Sequence, residues 1–426
     1  MTAMSNAEYF DALETRPPQA REESLMAALP HAIARAMARA PAIAAQLAGV
    51  DATRIASRQA LAALPVLRKA ELLRQQQLSR DDSAPDSAGK AMGGFSAIGW
   101  GEALRVFASP GPIYEPESAR RDYWRFARAL YAAGIRRDEL VYNCFSYHFT
   151  PAGSMMETAA HAIGCTVFPG GTGQTEQQVR AIRDLAPAAY TGTPSFLKII
   201  LEKADELGTP VASLRRALVS GEAFPPSLRD WLAARGIEGF QAYGSADLGL
   251  IAYETPAREG LVLDEDIIVE IVRPGTGQPV ADGEVGEVVV TTLNPDYPLV
   301  RFGTGDLSAV LPGPSPCGRT NTRIRGWLGR ADQATKVRGL FVHPSQVADI
   351  LRRHPQAGRA RLIVSGEVGA DAMALHIETA AASPGLAEAI ARSVREVAKL
   401  RADVVLCAPG SLPNDGKVIE DTRTYA

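Results

Sequence analysis

The chain has 426 residues, 46% of them hydrophobic, and carries 45 Lys+Arg against 48 Asp+Glu for a net charge of −3. That balance excludes a basic nucleic-acid footprint and an acidic solvating tail, and 6% aromatics give no base-stacking platform. At ~100–200 residues per domain the length predicts two or three domains. Cys144, Cys165, Cys317 and Cys407 are scattered without a CxxC pair, which fits a reducing compartment rather than a disulfide framework. The start of the chain carries acidic residues where a signal peptide needs a basic run. No stretch approaches ~18 uninterrupted apolar residues. A cytoplasmic globular protein without membrane or nucleic-acid partners is the expectation.

In chain order, residues 22–47 and 58–78 read as Ala-rich helices, and residues 79–94 as a polar loop. A helix over 118–133 and strand 140–145 follow. Helices at 153–163, 176–185, 194–207 and 226–235 then alternate with short strands at 166–168, 188–191, 216–220 and 239–243. Strands separated by helices of ~10–15 residues predict parallel α/β layers. From Leu261 the short strands 267–272, 287–293 and 307–311 predict an antiparallel β module. A small α+β unit begins after Arg330, with strands 333–337, 360–365 and 372–378 and helices 344–353 and 386–400. The fold class is therefore α/β: a large N-terminal multi-layer domain, residues 1–330, and a small α+β C-terminal domain, residues 331–426.

Glycine turns follow three strands: Ser220-Gly221-Glu222, Tyr243-Gly244-Ser245 and Thr304-Gly305-Asp306. In α/β sheets ligands bind beyond the carboxyl ends of strands, where glycine admits close backbone approach. Each turn alone is ordinary turn chemistry. Their order carries more information. ALPVLRKAELL, TGTPSFLKIILEKADELG, GEAFPPSLRDWL, QAYGSADLGL, VRFGTGDLS, GRADQATKVRG and LPNDGKV follow one another along the chain. This succession resembles the adenylate-forming superfamily, and within it the phenylacetate–CoA ligase-like branch.

The resemblance implies an AMP-forming acid–CoA ligase acting on an aryl acid. The carboxylate would react with ATP to give acyl-adenylate and pyrophosphate, and a thiolate would then give the thioester and AMP. It implies ATP/AMP, Mg²⁺ and coenzyme A as cofactors and leaves room for a homodimer. Ser220, Gly221, Glu222, Ala223, Gln241, Ala242, Tyr243, Gly244 and Ser245 match the adenine-facing positions. Asp306 matches the ribose acceptor, Arg330 a ribose or phosphate arginine, and Asp332 the hinge about which a mobile small domain turns. Lys417 matches the catalytic lysine that bridges carboxylate and α-phosphate, where negative charge accumulates. Lys336, Arg338 and Gly339 match a loop on the CoA side. Tyr147, His148 and Phe149, with Thr193 and Pro194 as a floor, fall where the family builds its acid pocket.

The chain also departs from that pattern. At the family's Thr-Glu stand Ala246 and Asp247, leaving Asp247 as a shorter Mg²⁺ ligand. The phosphate loop reads Phe107-Ala108-Ser109-Pro110-Gly111-Pro112-Ile113-Tyr114-Glu115-Pro116, with prolines that lack amide donors and one acid of the wrong sign. Cys317 sits in a segment where relatives hold zinc, but its partner positions are Ser315 and Asn321, so no zinc is expected. Two alternatives stay open: a diverged adenylate- or acyl-CoA-binding homologue, and transfer of AMP or acyl to an acceptor other than CoA.

Overall fold

The computed structural model describes residues 8–81, 88–272, 277–331, 335–366, 371–380, 382–413 and 418–423. Asp332 and Lys417 lie outside these residues. The chain forms two compact units, Met1–Gly329 and Arg330–Ala426.

The first unit opens with α1 (Pro18–Arg39), which has proline at its first turn and buries Leu25, Leu29, Ile33 and Ala36 along one stripe. α2 (Pro41–Gln46) and α3 (Arg58–Ala62) follow. The expected helix over 58–78 is broken at Leu64-Pro65, because a residue before proline avoids the helical region. It resumes as the two-residue strand β1 (Leu67–Arg68) and α4 (Lys69–Asp81). A short helix, α5 (Ala88–Ala91), lies within the expected polar loop.

The segment read as an unusual phosphate loop is an antiparallel hairpin, β2 (Ala103–Ser109) and β3 (Ile113–Ser118). The expected helix at 118–133 shortens to α6 (Ala127–Ala132). Asp122 and Arg125 hold left-handed backbone ahead of it, and the Asp122 carboxylate accepts from the Ala127 amide at 3.2 Å.

The alternating region then runs β4 (Leu140–Asn143), α7 (Ala152–Ile163), β5 (Thr166–Pro169), α8 (Thr175–Leu185), β6 (Ala189–Gly192), α9 (Pro194–Glu206), β7 (Arg216–Val219), α10 (Pro226–Ala233) and β8 (Glu238–Ser245). Strands pair in parallel in the order β5-β4-β6-β7-β8. β9 (Gly249–Tyr253), β10 (Leu261–Leu263), β14 (Val310–Leu311) and β15 (Arg323–Ile324) extend this sheet antiparallel from β8, completing nine strands. A four-stranded sheet joins β1, β11 (Ile267–Val272), β12 (Gly286–Thr292) and β13 (Phe302–Ser308) in the order β1-β13-β12-β11. One core packs α1 and α2 against this sheet, with Leu29, Ile33, Ile268, Val290 and Phe302 buried. A second core packs α6 and α7 against the parallel strands.

In the second unit, β16 (Thr335–Val337) and β17 (Leu340–Val342) form a hairpin, followed by α11 (Pro344–Arg353). A four-stranded sheet of β18 (Ala360–Ser365), β19 (Ala372–Glu378), β20 (Asp403–Cys407) and β21 (Ile419–Asp421) packs on α11 and on α12 (Pro384–Ala398).

Candidate functional site

Two strand ends meet at the site in the first unit. β8 and β9 slip register between Tyr243 and Gly244. A Cβ on Gly244 would come within 2.6 Å of the Gly249 carbonyl oxygen, so glycine is required there. β13 pairs Gly303 with Val289 and Leu307 with Glu287, which bulges residues 304–306 out of the ladder. Bulges re-aim side chains. Here the Asp306 carboxylate turns to accept the Tyr243 hydroxyl at 2.8 Å and the Trp327 indole N–H at 3.1 Å. Thr304 supports the bulge, accepting from the Asp306 amide at 3.1 Å and donating to the Val288 carbonyl at 2.9 Å.

The turn after β7 lies alongside β8. The Ser220 hydroxyl donates to the Ala242 carbonyl at 2.7 Å, and Gly221 takes φ +82. Glu222 accepts the Ser195 hydroxyl at 2.5 Å. Ser195 stands in the first turn of α9, whose N-terminus Thr193 caps through the Phe196 amide, with Pro194 at the first helical position. The Gln241 amide donates to Glu254 at 3.1 Å, fixing the middle of β8. The structure thus brings Ser220, Glu222, Ala242, Tyr243 and Asp306 to neighbouring strand ends, with Thr193 linked to them through Ser195 and Glu222.

The aromatic stretch divides. Tyr147 is half-buried, its hydroxyl accepting from Asn143 at 2.8 Å. Burial and a hydrogen bond with Glu157 push its hydroxyl pKa up. Asn143 also donates to the Gly153 carbonyl and accepts the Thr191 hydroxyl, joining the ends of β4 and β6. His148 is exposed, and Phe149 is 81% exposed with φ +62. Both side chains therefore stand in solvent in this unit, in contrast to Tyr147.

The β2–β3 hairpin is satisfied internally. Ser109, the one hydroxyl between Phe107 and Glu115 outside Tyr114, is buried and donates to Glu115 at 2.6 Å. Gln76 of α4 brackets Tyr114 with two 2.9 Å backbone hydrogen bonds. Glu117 takes Arg105, Trp124 and Ser154. The Ala108 amide donates to the Phe149 carbonyl at 2.7 Å. Glu115 is fully buried. Burial lifts its carboxyl to about 8, the Asp247 charge adds to the shift, and Lys69 and Ser109 oppose it. Glu115 is therefore mostly protonated near neutral pH.

Asp247, expected to reach Mg²⁺, instead accepts the Lys69 ammonium at 2.8 Å. Its side chain is 1% exposed and its other oxygen, Oδ1, has no hydrogen-bond partner. Among the described residues no three His, Cys, Asp or Glu side chains converge as a metal-binding group. The Asp247 carboxylate is already paired with an ammonium, so a magnesium ion at this position would compete with Lys69 for it. Lys69 and Trp327 are residues here that sequence reasoning missed, and Glu115 was noted only as an acid of the wrong sign. Lys69 was visible only as the second of two cations after a short apolar segment, in ALPVLRKAELL.

At the zinc-like segment, the Cys317 thiol lies 3.1 Å from the Ser315 hydroxyl and 3.6 Å from Arg319. Burial raises its pKa, but hydrogen bonds from Ser315, Thr255 and Arg319 outweigh burial and lower it overall. Arg319 pairs with buried Glu14, and the Tyr9 hydroxyl donates to the Cys317 carbonyl at 3.0 Å.

In the second unit Arg330 and Lys336 both lie over the Phe341 ring, at 5.1 and 5.8 Å. Arg338 and Gly339, at φ +47 and +84, form the two-residue turn between β16 and β17. The Arg338 amide is held by Asp371 at 2.9 Å. No helix of the described residues is long and apolar enough to cross a membrane.

Residues 119–294 match the AMP-binding enzyme family. The phenylacetate–coenzyme A ligase of Thermus thermophilus is 30% identical over 358 residues, 75% of this chain and 80% of that protein. The ligase of the same name from Escherichia coli is 29% identical, over 75% and 79% of the two chains. The one from Aromatoleum evansii is 31% identical, and the match spans 62% of each chain. Among solved structures, 2-hydroxyisobutyryl-CoA ligase in complex with 2-HIB-AMP and CoA superposes with TM-score 0.85 at 23% identity, covering 100% of this chain and 94% of the other. That likeness carries the fold. The strand-end turns, their order and the sequence relatives agree: the chain belongs to the phenylacetate–CoA ligase family of AMP-binding enzymes.

Proposed function

We propose that the protein is an AMP-forming acid–CoA ligase. A carboxylate oxygen attacks the α-phosphorus of ATP and pyrophosphate leaves; the CoA thiolate then attacks the acyl carbonyl and AMP leaves. The observation that carries this reading is the pair of bulged strand ends that presents Asp306 and Tyr243 beside the Ser220–Ala223 turn. A carboxylate accepts about four hydrogen bonds, and charge makes those to ribose hydroxyls strong. Gly221 and Gly244 let the backbone come close to an adenine ring.

The finer assignments belong to the same proposal. Lys417 neutralises charge between carboxylate and α-phosphate, Arg330 supports the ribose or phosphate, and Asp332 is the hinge of a mobile small domain. The Lys336–Gly339 turn faces CoA. An aryl acid is the substrate class, as the names of the phenylacetate-CoA ligase relatives suggest; Tyr147 and Thr193 lie at strand ends where its ring can sit. A homodimer and a cytoplasmic setting complete the reading.

The test is incubation with ATP, Mg²⁺, CoA and a panel of aryl and short-chain acids, measuring AMP, pyrophosphate and thioester. Acid-dependent AMP with CoA consumption is the expected result. Acid-dependent AMP without CoA consumption reassigns the acceptor. AMP binding with no acid-dependent turnover across the panel replaces the ligase by a nucleotide-binding homologue.

A further inference from the structure

Lys69 occupies a position that the chain's register sets closely. β1 runs parallel to β13 with Leu67 opposite Phe302 and Arg68 opposite Gly303. The next residue, Lys69, opens α4 beside the strand that bulges at Thr304–Asp306. Its ammonium lies 2.8 Å from Asp247, just beyond the end of β8. The pair has one sealed end and one open end: the Asp247 side chain is 1% exposed and that of Lys69 is 40% exposed.

The surroundings make this cation matter. The hairpin from Phe107 to Pro116 contains no Lys or Arg, so it brings no positive charge toward a triphosphate. Arg68, the neighbouring cation, is committed to Glu287. On the buried side, Asp247 Oδ1, Glu115 Oε2 and the Tyr297 hydroxyl have no hydrogen-bond partner. A divalent ion bound to Asp247 would sit within a few ångströms of the ammonium, and two cations sharing one buried carboxylate repel strongly. The ammonium and an Asp247-bound metal therefore compete for the same carboxylate.

We propose that Lys69, oriented by Asp247, supplies the positive charge for the nucleotide's phosphates that a metal on Asp247 would otherwise supply. The proposal rests on the nucleotide site described under Proposed function. An ammonium has three donors in a compact charge, and a buried carboxylate behind it fixes where they point. Any divalent ion then travels with the nucleotide and gains nothing from Asp247.

The experiment measures ATP and AMP affinity by calorimetry, and Mn²⁺ affinity of the protein–ATP complex by electron paramagnetic resonance. It uses the unaltered chain, Lys69→Met and Asp247→Asn. The expected result is that Lys69→Met weakens ATP by about 10- to 100-fold, as for loss of a charged hydrogen bond, with AMP affected far less. Asp247→Asn leaves Mn²⁺ affinity unchanged. A tenfold or greater loss of Mn²⁺ in Asp247→Asn overturns the proposal, as does an equal loss of ATP and AMP in Lys69→Met. If Lys69→Met does not fold, Lys69→Gln keeps a donor to Asp247 without the charge and reads the same difference. Failure of the unaltered chain to bind either nucleotide removes the nucleotide reading itself, and this proposal with it.

Discussion

The β2–β3 hairpin and the paired ends of β8 and β13 lie at positions that the family resemblance assigns to the two halves of one nucleotide, yet they are built in opposite ways. At the strand ends, bulges push Asp306 and Tyr243 out of their ladders and keep polar side chains at the edge of the sheet. In the hairpin the buried polar side chains are satisfied internally: Ser109 donates to Glu115 and Glu117 takes three donors, while Gln76 of α4 holds the Tyr114 backbone. The strand ends leave polar side chains at the edge of the sheet, while the hairpin closes its buried carboxylates on partners within the unit. Between Phe107 and Pro116 the hairpin carries no Lys or Arg.

The strongest challenge to this contrast is Lys417→Ala. If the chain still adenylates despite its closed hairpin, acid-dependent pyrophosphate release falls on the order of 10²–10³-fold. Thioester formation from pre-made acyl-adenylate is spared. Equal loss in both half-reactions refutes a role confined to adenylation.

Asp306→Asn tests the open half directly. AMP binding weakens by about 10- to 100-fold, read by calorimetry, while the melting temperature stays close to that of the parent. Unchanged AMP affinity would place the nucleotide elsewhere.

Glu115→Gln tests the closed half through pH. Native Glu115 titrates near 8, against an ordinary value of 4.5. Between those values the native state holds a proton that the unfolded chain has lost. Its contribution to stability is therefore complete below about 4.5, declines as pH rises, and is exhausted above about 8. The slope is at most about 1.4 kcal/mol per pH unit. Asp247, Lys69, Tyr297 and Ser109 face this carboxyl and share in its setting. Denaturant melts from pH 5 to 8 should show the decline in the parent and its loss in Glu115→Gln; parallel curves would mean that Glu115 is ionised.

The smallest effect is expected at Trp327, which is 42% exposed and donates to Asp306. Nucleotide binding should change its fluorescence. Trp327→Phe removes that change and alters AMP affinity by only a few-fold, about what one neutral hydrogen bond contributes. A signal that persists in the variant comes from another tryptophan.

The parallel strands from Leu140 to Tyr243 were legible because, apart from the exposed edge strand β5, they are largely buried runs between helices, a pattern that sequence carries locally. The hairpin was not, since Glu115 and Glu117 at inward strand positions look like loop residues until their partners are known. The helix predicted over 118–133 failed because left-handed Asp122 and Arg125 delay it to Ala127, a backbone state that composition does not reveal. Tyr243 and Asp306 were readable from motif order. The Lys69–Asp247 pair was not: 178 residues separate its members, and only the β1–β13 register brings Lys69 to the site. The exposure of His148 and Phe149 was not legible, since a left-handed residue such as Phe149 leaves no mark in composition.

The ties between Tyr9, Glu14 and the Cys317–Arg319 loop bear on the order of assembly. Tyr9 and Cys317 are 308 positions apart, so the first helix leaves the ribosome long before its partners exist. At about 5–20 residues per second the interval is roughly 15–60 s. Through that time the apolar stripe of α1, Leu25 to Ala36, has only its sequence neighbours around Ile43 and Leu47 to pack against, and the strands that complete its core come later.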